Sequence, residues 1–383
     1  MKIGILKEII KGENRVSITP STSKSLISSG YEVLIESGAG EKSNYLDAEY
    51  LESGSKIISD VNILYSESDI ILKVNAPSFH EILKSNESNQ FKSNSIYISF
   101  LDPYKEENTL DVFINKKITS FSMNLIPRTT LAQKMDALSS QSNIAGYKAV
   151  LYGASLIGKY MPLLMTAAGT VKPAQVMIIG AGVAGLSAVA TAKRLGANVE
   201  VFDVRPEVKE QVNSLGAKFI EVEKKSDEGV GEGGYAKETS KNYQIKQAEK
   251  IKLHIAKSDL VITTALIPGK PAPKIIVNEM VDAMKPGSVI IDLAAENGGN
   301  CTLTQPGQTT NYKDIKIIGK LNFPSSMAHH ASKLYSKNIF SFLNHVLLKE
   351  RKYDFKDEIT MKAIITHDGK LMNKQLNHLI KEH

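Results

Sequence analysis

A chain of 383 residues, 42% hydrophobic and 23% charged, is long enough for two domains with cores of their own and has the composition of a soluble globular protein. Its 47 Lys and Arg against 41 Asp and Glu leave a formal charge of +6, scattered with no basic block interleaved with aromatics, so nucleic acid is not an expected partner. The single cysteine, Cys301, excludes an internal disulfide framework, and the short apolar run after Met1 is no signal peptide; a cytoplasmic protein is expected.

Along the chain, residues 2–6 start a strand at once. Residues 21–30 read as a helix ended by Gly30, and 31–35 as the next strand. Short β-branched runs recur at 69–74, 96–100 and 118–122. Strands alternating with helices imply a parallel, doubly wound sheet, so residues 1–130 are expected to form a first α/β domain. A helical pattern from Leu131 to Leu156, with Ala132, Met135, Leu138, Ile144 and Tyr147 at its apolar positions, is expected to carry the chain onward, the link itself covering 131–148.

Residues 175–203 are the most informative stretch. A buried strand, 176–179, breaks at Gly180 and is followed by an alanine-rich helix and a second β-branched run ending on Asp203. Within this strand–turn–helix–strand context, Gly180-x-Gly182-x-x-Gly185 is a dinucleotide fingerprint. Gly180 permits the tight turn, Gly182 lets a pyrophosphate approach the backbone, and Gly185 lets helix and strand pack closely. Asp203 is placed to accept hydrogen bonds from a ribose 2′-OH and to repel a 2′-phosphate, which favours NAD(H). Arg205 lies two residues on, where it could meet a 2′-phosphate.

Further strands at 218–222, 260–264, 289–293 and 315–318 extend a second domain over 140–326. An amphipathic helix at 331–349 is expected to return to the first domain, making that domain discontinuous (1–130 with 327–383). No element is predicted beyond Arg351. Residues 227–240, with four glycines and four acids, cannot pack as a core element: they read either as a surface loop or as a mobile lid whose Tyr235 closes over a ligand. Adjacent His329 and His330 point to opposite sides of an extended chain with no third ligand near, so no metal site is expected.

Several motifs resemble a known family. Lys7-Glu8, Glu13-Asn14-Arg15-Val16 and Thr19-Pro20 look like the opening shared by alanine dehydrogenases and NAD(P) transhydrogenases. The segment Pro127-Arg128-Thr129-Thr130-Leu131-Ala132-Gln133-Lys134-Met135-Asp136, continuing to Ser139-Ser140-Gln141, resembles the nicotinamide-side loop of the NAD(H)-binding component of proton-translocating transhydrogenase. Gly233 to Glu238, Thr263 to Pro273 and Asp292 to Cys301 match as well, and the resemblance covers nearly the whole chain.

The resemblance implies two Rossmann-like domains and a soluble homodimer, peripheral to the inner membrane through its partners. This dimer would bind NAD(H) and pass hydride to NADP+ held on a second subunit, with Si-Re specificity, while a membrane proton-channel subunit couples the transfer to proton translocation. Arg128, Gln133, Asp136 and Ser139 are implied to position the nicotinamide carboxamide and ribose. Hydride transfer between two nicotinamides needs no general acid or base. Thr129, Thr130, Val183, Val204, Arg205, Gly234, Tyr235, Ala265 and Leu266 are implied to join the three glycines and Asp203 in holding the dinucleotide. Apart from the resemblance, the polar run at 128–139 also reads as a capped helix N-terminus. Leu131 stands where the family usually has a second arginine, and the Pro324–His330 stretch lacks another.

Two rivals remain at this level. An alanine dehydrogenase needs a histidine to manage protons and a lysine for the substrate carboxylate or carbonyl. Lys73 is present at a plausible position, but residues 97–103 contain no histidine. A non-catalytic NAD-binding module would need only the glycine turn and Asp203.

Overall fold

The computed structural model describes residues 1–222, 241–267, 270–347 and 353–372. The candidate lid at 227–240, with Gly234 and Tyr235, lies outside them. In chain order the strands are β1 (Lys2–Ile5), β2 (Glu32–Glu36), β3 (Lys56–Ile58), β4 (Ile70–Asn75), β5 (Phe79–His80), β6 (Ser85–Asn86), β7 (Ile96–Phe100) and β8 (Thr119–Ser122). There follow β9 (Leu164–Thr166), β10 (Gly169–Val171), β11 (Gln175–Ile179), β12 (Asn198–Phe202) and β13 (Lys218–Phe219). The series ends with β14 (Leu260–Thr263), β15 (Val289–Asp292), β16 (Thr309–Tyr312), β17 (Ile315–Ile318), β18 (Ile364–His367) and β19 (Lys370–Leu371).

The chain divides into two units, residues 1–141 with 325–383 and residues 142–324. The first is built on an eight-stranded sheet in the order β19-β18-β8-β7-β4-β1-β2-β3. From β3 to β8 every pairing is parallel, and β18 and β19 extend that edge antiparallel. The second unit carries a seven-stranded sheet, β13-β12-β11-β14-β15-β17-β16, antiparallel only at β16. Both sheets run outward in both directions from their first strand, β1 or β11. Each therefore has a point where the strand order reverses, which in open α/β sheets is the place where ligands bind.

The period-2 alternation of the strands explains why both faces are covered. In β4, Ile70, Leu72 and Val74 enter one core of the first unit while Ile71 enters another. In β11, Val176 and Ile178 face one core of the second unit, and Met177 and Ile179 the other.

The structure corrects two readings. The pattern from Leu131 to Leu156 is not one helix: a 3-10 turn, Thr130–Met135, is followed by an α-helix, Ala137–Leu156. Asp136 separates them, with ψ of 84°. Its carboxylate accepts from the Ser139 N–H at 2.8 Å and the Ser139 hydroxyl at 2.5 Å, which caps the α-helix and stops the chain winding through. The second concerns the polar stretch after Arg351, where no element is expected. It supplies a short helix, Glu358–Ala363, and strand β18, whose Ile364 and Ile365 are fully buried.

Candidate functional site

In the second unit the glycine turn joins β11 to the helix Val183–Arg194. Gly180 takes φ of +99°, the left-handed region that favours glycine. At Gly185 an added Cβ would meet the Gly180 carbonyl oxygen at 1.8 Å, so helix and turn touch only because the side chain is absent. Gly182 differs: a Cβ built there meets nothing within 4 Å. The third glycine is thus needed by the fold itself, whereas the second leaves open space beside the backbone. Gly182 is the N-cap of a helix with no side-chain cap, so the first-turn N–H groups, starting at Val183, are left for an outside acceptor. A diphosphate fits that description.

Asp203, just past β12, is tied to the same turn. Its Oδ2 accepts from the Ala181 N–H at 2.6 Å. Its Oδ1 accepts from the Arg205 backbone N–H at 2.8 Å and Nε at 2.9 Å, and a third Arg205 nitrogen reaches Oδ2 at 2.9 Å. The acid that sequence assigned to a ribose therefore also braces the turn. Arg205, considered as a receptor for a 2′-phosphate, is engaged with Asp203, and this hydrogen-bonded pairing raises its pKa. Val204 is half-buried between them.

The third side of the crevice is the loop after β14. The Thr264 hydroxyl donates to the Gly180 carbonyl at 3.0 Å. Ala265 is held on both its backbone groups by Asn300, which accepts from the Ala265 N–H at 3.0 Å and donates to its carbonyl at 2.8 Å. Asn300 also donates to the Pro273 carbonyl and is fully buried. Leu266 is left 40% exposed beside it. The loops ending β12, β11 and β14 thus converge where the strand order reverses. Asn300 thus belongs to this site, although in the sequence it stands only as one residue of the Asp292–Cys301 motif. Its role depends on two loops distant in sequence, for which no local signal exists.

The segment 128–139 belongs to the first unit. Ala132 and Met135 are buried in a core shared with Tyr335, Ile339 and Phe342 of the helix Ala328–Val346. Asn338 of that helix donates to the Lys134 carbonyl at 2.9 Å and accepts from the Ser140 hydroxyl at 2.8 Å. Two apolar anchors and one amide therefore fix a turn whose other side chains face outward: Arg128, Thr130 and Gln133 are exposed, and Thr129 half-buried. Asp136 and Ser139 form the cap described above, so these two are brought together by local geometry. Leu131 is 83% exposed and has no part in the core.

Lys73, the lysine a small-carboxylate substrate would require, is fully buried and paired with Glu87, whose two oxygens lie at 2.7 and 2.6 Å. His329 stacks on Tyr45, with ring centroids 4.6 Å apart. No helix of the described residues is long and apolar enough to cross a membrane.

The chain matches known families over most of its length. The family alanine dehydrogenase/PNT, N-terminal domain, matches residues 4–145, and alanine dehydrogenase/PNT, C-terminal domain, matches 149–374. It is 44% identical to an NAD(P) transhydrogenase subunit alpha polypeptide of Rhodospirillum rubrum, over 98% of this chain and 99% of that one. Among solved structures, the transhydrogenase from Sinorhizobium meliloti superposes with a TM-score of 0.84 at 40% identity, covering 98% of this chain and 100% of that one. An L-alanine dehydrogenase superposes with a TM-score of 0.83 at 23% identity over 99% of both chains, a likeness of fold alone. With both domain families matched and the identity to a transhydrogenase alpha subunit running nearly end to end, the chain belongs to the alanine dehydrogenase/PNT family.

Proposed function

We propose that this chain is the NAD(H)-binding subunit of a proton-translocating transhydrogenase, exchanging hydride between NADH and NADP+ bound on a partner subunit. The observation that carries the reading is the 44% identity across nearly the full length of a relative named as a transhydrogenase alpha subunit. The glycine turn braced by Asp203 supplies the binding chemistry that this role requires.

The bound nicotinamide supplies the hydride. The chain's own residues hold and orient. The uncapped N-terminus at Gly182 and Val183 receives the diphosphate, and Asp203 receives the ribose diol, preferring NAD(H) over NADP(H). Arg128, Gln133, Asp136 and Ser139 position the nicotinamide end and transfer no proton. The reaction then depends on near-attack geometry and exclusion of water, and rigid anchoring of the 128–139 turn serves that end. The functional form is a homodimer, peripheral to the inner membrane through a membrane proton-channel subunit.

The test is a fluorescence titration of the purified protein with NADH and, separately, NADPH, followed by an assay with pyruvate and ammonium. Selective NADH binding without turnover supports the proposal, and NADP+-dependent oxidation of NADH on adding the NADP(H)-binding subunit completes it. Steady NADH oxidation with pyruvate and ammonium makes the protein an amino-acid dehydrogenase instead.

A further inference from the structure

The carboxyl ends of the second unit's strands face the dinucleotide crevice, and their amino ends carry a separate cavity. Gln175, the first residue of β11, and Asp259, just before β14, both line it. The length of β11, about 16 Å, separates this end of the sheet from the glycine turn. The cavity measures about 440 Å³. Three stretches distant in sequence build its wall: residues 158–160 after the helix Ala137–Leu156, residues 171–173 at the end of β10, and Lys285 ahead of β15.

Each stretch brings one lysine, Lys159, Lys172 or Lys285, and Asp259 is the one acid among the described lining residues. The Asp259 carboxylate is buried and already engaged. Its Oδ1 accepts from Lys159 Nζ at 2.6 Å, and its Oδ2 accepts from the Gln175 N–H at 2.9 Å. Lys285 Nζ stands 4.0 Å from Oδ1 and donates to the Lys257 carbonyl at 2.7 Å. Lys172 has no hydrogen-bond or ion-pair partner among the described residues. A lysine ammonium carries three donors, so all three keep hydrogens for a further acceptor. Three ammonium groups against one carboxylate leave a local charge of +2.

A single exposed lysine holds an anion weakly, but three that converge on one concave surface act together. A phosphate monoester offers three acceptor oxygens and about two negative charges at pH 7, which matches both the donors and the charge. Tyr160 and Val171, 58% and 41% exposed, add apolar wall beside the lysines for the organic part of such a ligand. We propose that the second unit binds a phosphate monoester at the amino ends of β11 and β14 through Lys159, Lys172 and Lys285, with Asp259 holding Lys159 in position. The site shares no residue with the dinucleotide crevice and does not depend on the hydride-transfer reading.

Phenyl phosphate is the probe, titrated by calorimetry at constant ionic strength. The parent should bind it saturably, Lys172→Met about tenfold more weakly, and Lys172→Met/Lys285→Met not detectably. Both lysines are exposed, so the variants should melt with the parent. A second arm uses phosphatidylcholine vesicles with and without phosphatidic acid, whose headgroup is also a phosphate monoester. Sedimentation with phosphatidic acid that the double variant loses makes the ligand a lipid headgroup, whereas calorimetric binding without sedimentation makes it a soluble ester. No saturable binding in either arm overturns the proposal, as does binding that survives in the double variant.

Discussion

Ser139 donates both its N–H and its hydroxyl to the carboxylate of Asp136, at 2.8 and 2.5 Å. The pair caps the helix Ala137–Leu156, and the proposed function also gives it a share in positioning the nicotinamide. These duties are separable. Ser139→Ala should cost about 1 kcal/mol of stability as a weakened cap. Asp136→Asn retains a capping oxygen, so its melting temperature should move less while its hydride-transfer rate with the partner subunit falls about 100-fold, the cost of a misplacement near 1 Å. Calorimetry beside stopped-flow transfer separates the two. A loss of stability without a loss of rate leaves the cap as the whole role of Asp136.

The glycines at 182 and 185 should respond differently to alanine. Gly185→Ala forces a Cβ to 1.8 Å from the Gly180 carbonyl, so the turn must distort and the melting temperature should drop by several degrees. Gly182→Ala meets no protein atom and should fold as the parent does, yet bind NADH at least tenfold more weakly, because its methyl fills the approach to the helix N-terminus. Unaltered NADH affinity in a folded Gly182→Ala would move the diphosphate elsewhere.

Asp203→Ala should weaken NADH binding about tenfold or more and narrow the preference over NADPH, as read by fluorescence titration. It also strips an acceptor from the Ala181 N–H and releases Arg205. Arg205→Leu should therefore act in the opposite sense on selectivity, leaving an unneutralised carboxylate that disfavours NADPH further. If both variants shift selectivity in the same direction, the charge balance of this pair does not set it.

Glu13 links the fold to pH. Burial pushes its carboxyl up, but hydrogen bonds and charge from Arg15, with help from Asn75, outweigh that and hold it at about 2, against an ordinary 4.5. Because the folded value is the lower one, the ionised group contributes stability that is fully present above about pH 4.5 and is lost as the pH falls towards 2. The shift corresponds to about 3 kcal/mol. Glu13→Gln should lose stability of that order at pH 7, and its denaturant midpoint should change less than the parent's between pH 5 and pH 3. Parallel profiles would remove Glu13 from the acid transition.

Much of the sheet architecture was legible because buried parallel strands are written as short β-branched runs, as at Val176 to Ile179 or Val199 to Phe202. Strand β18 escaped because two isoleucines after a polar stretch are too short a signal, and only the antiparallel partner β8 makes them a strand. The apolar spacing runs on in register across the break at Asp136, so only the second reading of 128–139, as a capped helix N-terminus, marks where the α-helix begins. Glu87 sits in the polar run Ser85-Asn86-Glu87-Ser88-Asn89-Gln90, which carries no local sign of burial. Its burial follows only from the distant Lys73 that it meets.

The interrupted first unit has a consequence for synthesis. All residues of the second unit lie between 142 and 324, so a ribosome delivers its whole contact set in one continuous passage. The first unit begins earlier and finishes later. Its turn at 130–135 rests on Tyr335, Ile339 and Phe342, and its sheet gains β18 only at Ile364. Until those residues emerge, Ala132, Met135 and the outer edge of β8 are without the side chains and the strand that cover them. The nascent chain therefore holds a half-built first unit throughout the translation of a second unit that has every residue it needs to close.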